Sequence, residues 1–341
     1  MENSQYRSTS GSILGAIKQQ FGKRRRIGTL TEDERLDGKT VLITGASSGL
    51  GYATAVQLAR RGGTVIMAAR SGIPEKGNAA KQDSGSSALE MRQVDLSDLD
   101  SIRSLADGLR QDGIKLDRLV LNAACVPARS RQTKQGLEEM FVVNFLSSFY
   151  LTNLLIRYDV LRKNAGARIV FVGSEAHRSS PPIDWERFGR YEEYTMKKSV
   201  PLYGYYKHML LSFAAELARR LQAEGAGIGV YALCPGPVNT RLAREAPWFA
   251  QWLVAILFAL FFKAPAKACE PVVYLACARS LDERTGVYLH RMEERPLQPA
   301  TAAPQNARQL WDASSSLLAK LGHDIPFHER GAAFEGKREA R

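Results

Sequence analysis

Cysteine is scarce in this chain, with four in 341 residues, at positions 125, 234, 269 and 277. None pairs as C-x-x-C, and none of the five histidines stands at metal-ligand spacing beside them. That excludes a zinc site and a disulfide framework, and it fits a reducing compartment. No internal repeat is present, and the N-terminus lacks the continuous apolar core of a signal peptide. Long apolar runs are almost absent too. The strongest, WFAQWLVAILFALFF at 248–262, carries a single polar residue. As a helix it would reach about 22 Å at ~1.5 Å per residue, short of the ~30 Å hydrocarbon core of a bilayer. A full crossing is therefore not expected. A buried helix, a lid over an apolar substrate and a patch dipping into a membrane all remain open, because apolar residues occupy every face.

Acidic residues are outnumbered, 35 against 47 Lys and Arg, for a net charge of +12. Such an excess suits nucleic acid, an anionic membrane surface or an anionic cofactor. No nucleic-acid-binding motif accompanies either basic cluster, KRRR at 23–26 or GKREAR at 336–341, so nucleic acid is not an expected partner. Residues 1–36 read as an extension. Ile13, Leu14, Ile17 and Phe21 share one side of a candidate helix ahead of KRRR. Peripheral membrane contact through 12–26 and 248–262 is one expectation, and a solvated tail is the other. The expected location is the cytoplasm or the cytoplasmic face of a membrane.

From Gly38 onward, short β-branched runs alternate with helical periods. Candidate strands lie at 40–44, 64–68, 91–94, 118–121, 168–172, 229–233 and 286–290. Helical stretches separate them, including GYATAVQLARRG, LDSIRSLADGLRQ and KHMLLSFAAELARRLQ. This alternation predicts a parallel sheet covered on both faces. Between the first strand and the first helix stands TGASSGLG. Gly45, Gly49 and Gly51 allow a tight turn and a close backbone approach, and the helix N-terminus attracts a diphosphate. Ser47, Ser48 and Leu50 belong to the same cradle. The expected fold is thus a Rossmann-type, doubly wound α/β domain with seven parallel strands. It spans 37–322, with 241–268 as an apolar lid or membrane-contact segment and 323–341 as a C-terminal tail. The second strand ends in Arg70 with no acidic residue to grip a ribose 2′-hydroxyl, which favours the 2′-phosphate of NADP(H). Asp95 and Leu96, after the third strand, would border the adenine.

GASSGLG, then LNAA at 121–124, then RIVFVGSEAH at 168–177, and then a tyrosine four residues before a lysine follow in chain order. Together they resemble the short-chain dehydrogenase/reductase superfamily from Gly38 to near Gly322. PGPVNT at 235–240 and RQLWDASSSLL at 308–318 are closest to its retinol-dehydrogenase-like branch, with protochlorophyllide reductases as a related branch. The resemblance implies a carbonyl–alcohol oxidoreductase with a catalytic tyrosine and lysine on one helix face. Tyr194–Lys198 and Tyr203–Lys207 both have that spacing. Pro201 is expected to break a helix carrying the first pair, whereas Tyr203 opens an amphipathic helix, so Tyr203 is the expected acid. The resemblance makes Lys207 the residue that eases ionisation of Tyr203 and binds the nicotinamide ribose. It makes Ser174 the holder of the substrate oxygen and Asn144 the support of a proton relay. Asn122 and Ala123 would line the cofactor, as would Pro235, Gly236, Val238 and Thr240. Ala124 replaces the usual glycine of the LNAA loop. The apolar run implies a small hydrophobic substrate: a retinoid, steroid, isoprenoid or lipid aldehyde. A double-bond reductase and a non-catalytic NADP(H)-binding scaffold are the alternatives. Oligomeric state is left open.

Overall fold

A computed structural model describes residues 26–164, 166–236 and 265–325. Most of the amphipathic 12–26 segment, Val238, Thr240, the apolar run at 248–262 and most of the tail lie outside the described residues.

Most strands form where β-branched and apolar residues run together; β3, LEMRQ, is the exception. They are β1 (Thr40–Thr44), β2 (Thr64–Ala69), β3 (Leu89–Gln93), β4 (Arg118–Leu121), β5 (Ala167–Val172), β6 (Ile228–Cys234) and β7 (Val287–His290). All seven are parallel, in the order β3-β2-β1-β4-β5-β6-β7. One short strand goes beyond the expected seven: β8 (Glu293–Glu294) pairs antiparallel with β7. Two glutamates carry no apolar alternation, so nothing in the sequence marks it.

Alternation along β1 explains its unbroken apolar character. Leu42 belongs to a core with Ile66, Leu119 and Phe171, while Val41 and Ile43 belong to the opposite core with Met67, Val120 and Val170. Each fully buried aliphatic side chain of this kind contributes about 1.5–3 kcal/mol. The first core is closed by α3 (Leu99–Gln111), α4 (Glu139–Arg157), α5 (Met196–Ala223) and α7 (Pro304–Lys320). The second is closed by α1 (Gly49–Arg60) and α6 (Glu270–Cys277). A polar helix, α2 (Glu75–Ser84), flanks β3 and buries only Gly77 and Ala80.

Two helices position the site. α4 is long and apolar enough to cross a membrane, but its apolar window is 83% buried inside the protein. It widens into a π-helical turn at Val142–Leu146. α5 corrects one expectation: it begins at Met196 and runs through Pro201. Pro201 falls in the second turn, so the helix loses one backbone hydrogen bond and continues. Lys198 is therefore helical, and the expected break does not occur. Tyr194 still lies outside the helix, before the Thr195 N-cap.

The strand order reverses between β1 and β4. In an open α/β sheet, ligands bind outside the carboxyl ends of the strands at that point.

Candidate active site

At the switch point, Thr44 ends β1 with its side chain buried. Its hydroxyl accepts hydrogen bonds from the backbone N–H groups of Asn122 (3.1 Å) and Ala123 (3.2 Å). The Asn122 amide donates back to the carbonyls of Thr44 (3.0 Å) and Gly45 (3.3 Å). Asn122 thus clamps the glycine turn to the LNAA loop, and this engages the side chain expected to line the cofactor. The turn leaves no room for a side chain. A Cβ on Gly51 would stand 2.4 Å from the Gly45 carbonyl oxygen, and Gly45 itself has φ +67°. Ser48 caps α1 without a side-chain hydrogen bond, so the first N–H groups of the helix are not taken by its own cap. A helix start approached this closely by glycine backbone is a fit for a diphosphate.

The β2 end abuts the same turn, since the N–H groups of Gly45 and Ala46 bond the Ala68 carbonyl at 2.9 and 3.3 Å. Arg70 follows with an exposed side chain. It is thus the residue directly after the β2 end that meets the glycine turn. Asp95 is more committed than expected: its Oδ1 accepts from the Ser97 N–H (2.9 Å) and hydroxyl (2.6 Å). Leu96 is partly buried against the core.

At the end of β5, Ser174 begins a 3-10 turn, Glu175–Ser179. Its hydroxyl accepts from the Ala176 N–H at 3.2 Å and lies close enough to the Tyr203 phenol to act on its ionisation. One turn further along α5, Lys207 is buried, with Nζ 2.9 Å from the Val172 carbonyl and 5.8 Å from the Tyr203 ring centroid. Ser174, Tyr203 and Lys207 are therefore brought together. Burial lowers the Lys207 ammonium to about 8. Burial also raises the Tyr203 phenol, with Cys234 adding to the rise and the Ser174 hydroxyl opposing it. Lys207 was expected to ease ionisation of Tyr203, but in the chain itself desolvation is the larger effect. Burial thus keeps the phenol protonated and makes its proton harder to release, while an ammonium with a value of about 8 is still charged at pH 7.

The other tyrosine goes elsewhere. The Tyr194 hydroxyl donates to Glu138 Oε1 at 2.9 Å, and Lys198 is exposed. Burial and the Glu138 charge raise Tyr194 well above the ordinary phenol range. Tyr206 is buried, and the Tyr205 hydroxyl accepts from the Asp184 N–H at 2.8 Å.

Asn144 lies inside the π-helical turn, 1% exposed. Its Oδ1 accepts from the Cys125 N–H (3.0 Å) and its Nδ2 donates to the Cys125 carbonyl (2.8 Å). The whole amide is used to fasten the loop after β4 to the helix bulge. Pro235 and Gly236 follow β6, where the Gly236 N–H points at the Cys234 sulfur at 3.4 Å.

A neighbouring polar cluster carried no motif. Glu175, Tyr288 and His290 meet beside Ser174, with the Tyr288 hydroxyl 2.7 Å from Glu175 Oε1. The signal that was available is an acidic residue directly after the serine at a strand end.

The family model for short chain dehydrogenase matches residues 39–184. Retinol dehydrogenase 13 of Mus musculus is 36% identical over 310 residues, covering 88% of this chain and 90% of the mouse protein. A crystal structure of an uncharacterized protein from Mycobacterium paratuberculosis shares 29% identity with a TM-score of 0.66, covering 88% of this chain and 100% of that one. A crystal structure from Beutenbergia cavernae, assigned as an NAD(P) dependent gluconate 5-dehydrogenase, contains NADP at low occupancy. It is 25% identical with a TM-score of 0.56, covering 76% of this chain and 96% of that one. With this fold, this cradle and these relatives, the chain belongs to the short-chain dehydrogenase/reductase family, on its retinol-dehydrogenase-like side.

Proposed function

We propose that the protein is an NADP(H)-dependent oxidoreductase that interconverts a carbonyl and an alcohol on a small hydrophobic substrate. The observation that carries this reading is the convergence of Ser174, Tyr203 and Lys207 at the carboxyl ends of the strands, beside a glycine cradle. Bound NADP(H) supplies and accepts the hydride. Gly45, Gly49 and Gly51 admit its diphosphate to the start of α1, and Arg70 supplies a guanidinium for a 2′-phosphate. In reduction, the Tyr203 hydroxyl donates its proton to the carbonyl oxygen. The Ser174 hydroxyl holds that same oxygen by a hydrogen bond. Lys207 places a positive charge behind the phenol and limits the cost of the phenolate that remains. Asn144 fixes the helix bulge and the Cys125 backbone beneath the site. The apolar character of the substrate rests on the apolar run at 248–262 and on the retinol dehydrogenase relatives. Retinoid, steroid, isoprenoid and lipid aldehydes or ketones form the panel to test. Consumption of NADPH with such a panel, ahead of NADH, is the expected result. Cofactor binding with no turnover of any carbonyl would favour a scaffold instead.

A further inference from the structure

Glu175 is an unusual neighbour for a substrate-binding serine. Its side chain is 13% exposed, in a site where packing alone would be met by an apolar residue. Its carboxylate is surrounded by donors. The Tyr288 hydroxyl donates to Oε1 at 2.7 Å, and Arg178 Nε donates to Oε2 at 3.0 Å. His290 Nδ1 stands 3.7 Å from Oε1, and Arg295 Nη1 stands 3.9 Å from Oε2. The Glu175 backbone lies close enough to the Cys234 thiol to lower its pKa, against the larger rise that burial imposes. His177 joins the same knot: its Nδ1 lies 2.7 Å from the Ser174 carbonyl oxygen, and its ring packs edge-on against Tyr288 at 5.7 Å. The turn after β5 is thereby fastened to β7, through the Tyr288 hydroxyl and beside His290.

With both carboxylate oxygens already engaged, Glu175 is not placed to exchange protons with a substrate. What its bonds fix is the direction of the turn that begins at Ser174. A buried carboxylate with directional donors defines one geometry where an apolar contact would allow several.

We propose that Glu175 is a positioning residue. By binding Tyr288 of β7 and Arg178 of its own turn, it sets the angle at which the Ser174 hydroxyl meets Tyr203 and a carbonyl oxygen. This rests on the reading that Ser174 and Tyr203 carry the carbonyl chemistry.

The test compares wild type, Tyr203→Phe, Glu175→Gln and Tyr288→Phe with NADPH and the apolar carbonyl panel. Glu175→Gln keeps the shape and removes the charge. Tyr288→Phe removes one hydroxyl and keeps the packing, so it carries the test where Glu175→Gln does not fold. The expected result is a fall in kcat of about 10- to 100-fold in both variants, the size that small misplacements produce. The KM for NADPH should be unchanged. Hydrogen exchange of the 173–180 peptide should accelerate in both, while the β1–α1 peptide stays as in wild type. An active wild type, a silent Tyr203→Phe and a Tyr288→Phe with full kcat would overturn the positioning role alone. A Tyr203→Phe as active as wild type would sink the reading beneath it and the proposal together. If no carbonyl in the panel turns over, the exchange data decide: unchanged exchange at 173–180 overturns the proposal, and faster exchange there supports it.

Discussion

Replacing Lys207 by methionine should make the protein more stable while removing its activity. Lys207 is 1% exposed, and burial lowers the pKa of its ammonium from 10.5 to about 8. The folded chain therefore binds that proton less tightly than the unfolded chain does. At 1.36 kcal/mol per unit, keeping the ammonium charged at pH 7 costs on the order of 3 kcal/mol of folding stability. Because the folded value is the lower one, the penalty is fully present below about pH 8 and is relieved as pH rises from 8 towards 10.5. Methionine has similar length, carries no charge and leaves the Val172 carbonyl without its donor, which takes back roughly 1–2 kcal/mol. A net gain of about 1–2 kcal/mol at pH 7 is expected. Urea unfolding of both proteins at pH 7.0 and 9.5 measures it. Other groups titrate alike in the two chains and cancel in the difference. The gap should narrow by about 2 kcal/mol over that interval, because wild type gains stability there and the variant does not. A methionine variant less stable than wild type at pH 7, or a gap independent of pH, would refute the reasoning. Lys207 would then be well solvated or better paired than its surroundings imply.

Two further expectations concern the cofactor. Gly51→Ala brings a methyl group to 2.4 Å from a backbone oxygen and 2.5 Å from the Asn122 amide. It should cost about 1–3 kcal/mol in urea unfolding, and it should weaken NADPH binding in a fluorescence titration by at least roughly tenfold. On the proposed role of Arg70, Arg70→Ala would remove charge-assisted bonds to a 2′-phosphate. NADPH affinity should fall about 10- to 150-fold with NADH affinity unchanged, and equal losses for both cofactors would remove Arg70 as the selector.

The central strands were readable because their residues are buried on both sides, which leaves apolar runs such as TVLIT and RLVL; β3, LEMRQ, is only partly buried at the sheet edge, and its expected bounds 91–94 fall at 89–93 instead. The cradle was readable because its glycines are imposed by space, as Gly51 shows. Other features left weaker marks. α2 is EKGNAAKQDS, a polar segment that buries two small residues, so it has no apolar period to detect. The π-helical turn in α4 is written in residues that an ordinary buried helix would also use. Pro201 signals a break because proline opposes a helix by about 3 kcal/mol, but the packing of the remaining turns of α5 outweighs it, so the proline does not separate the two tyrosines. What separates Tyr203 from Tyr194 is tertiary: one phenol meets Ser174, the other meets Glu138. Glu175 and His290 lie 115 positions apart, and only the pairing of β6 with β7 beside β5 brings them together.

Single-turnover NADPH oxidation by wild type and Tyr203→Phe, with an apolar aldehyde in excess, tests the role of Tyr203 most directly. Phenylalanine keeps the ring and removes only the proton donor. NADPH should bind both proteins alike, and hydride transfer should slow by about 10²- to 10⁴-fold in the variant. Transfer at the wild-type rate in Tyr203→Phe would contradict the assignment and turn attention to Tyr194 and its Glu138 partner.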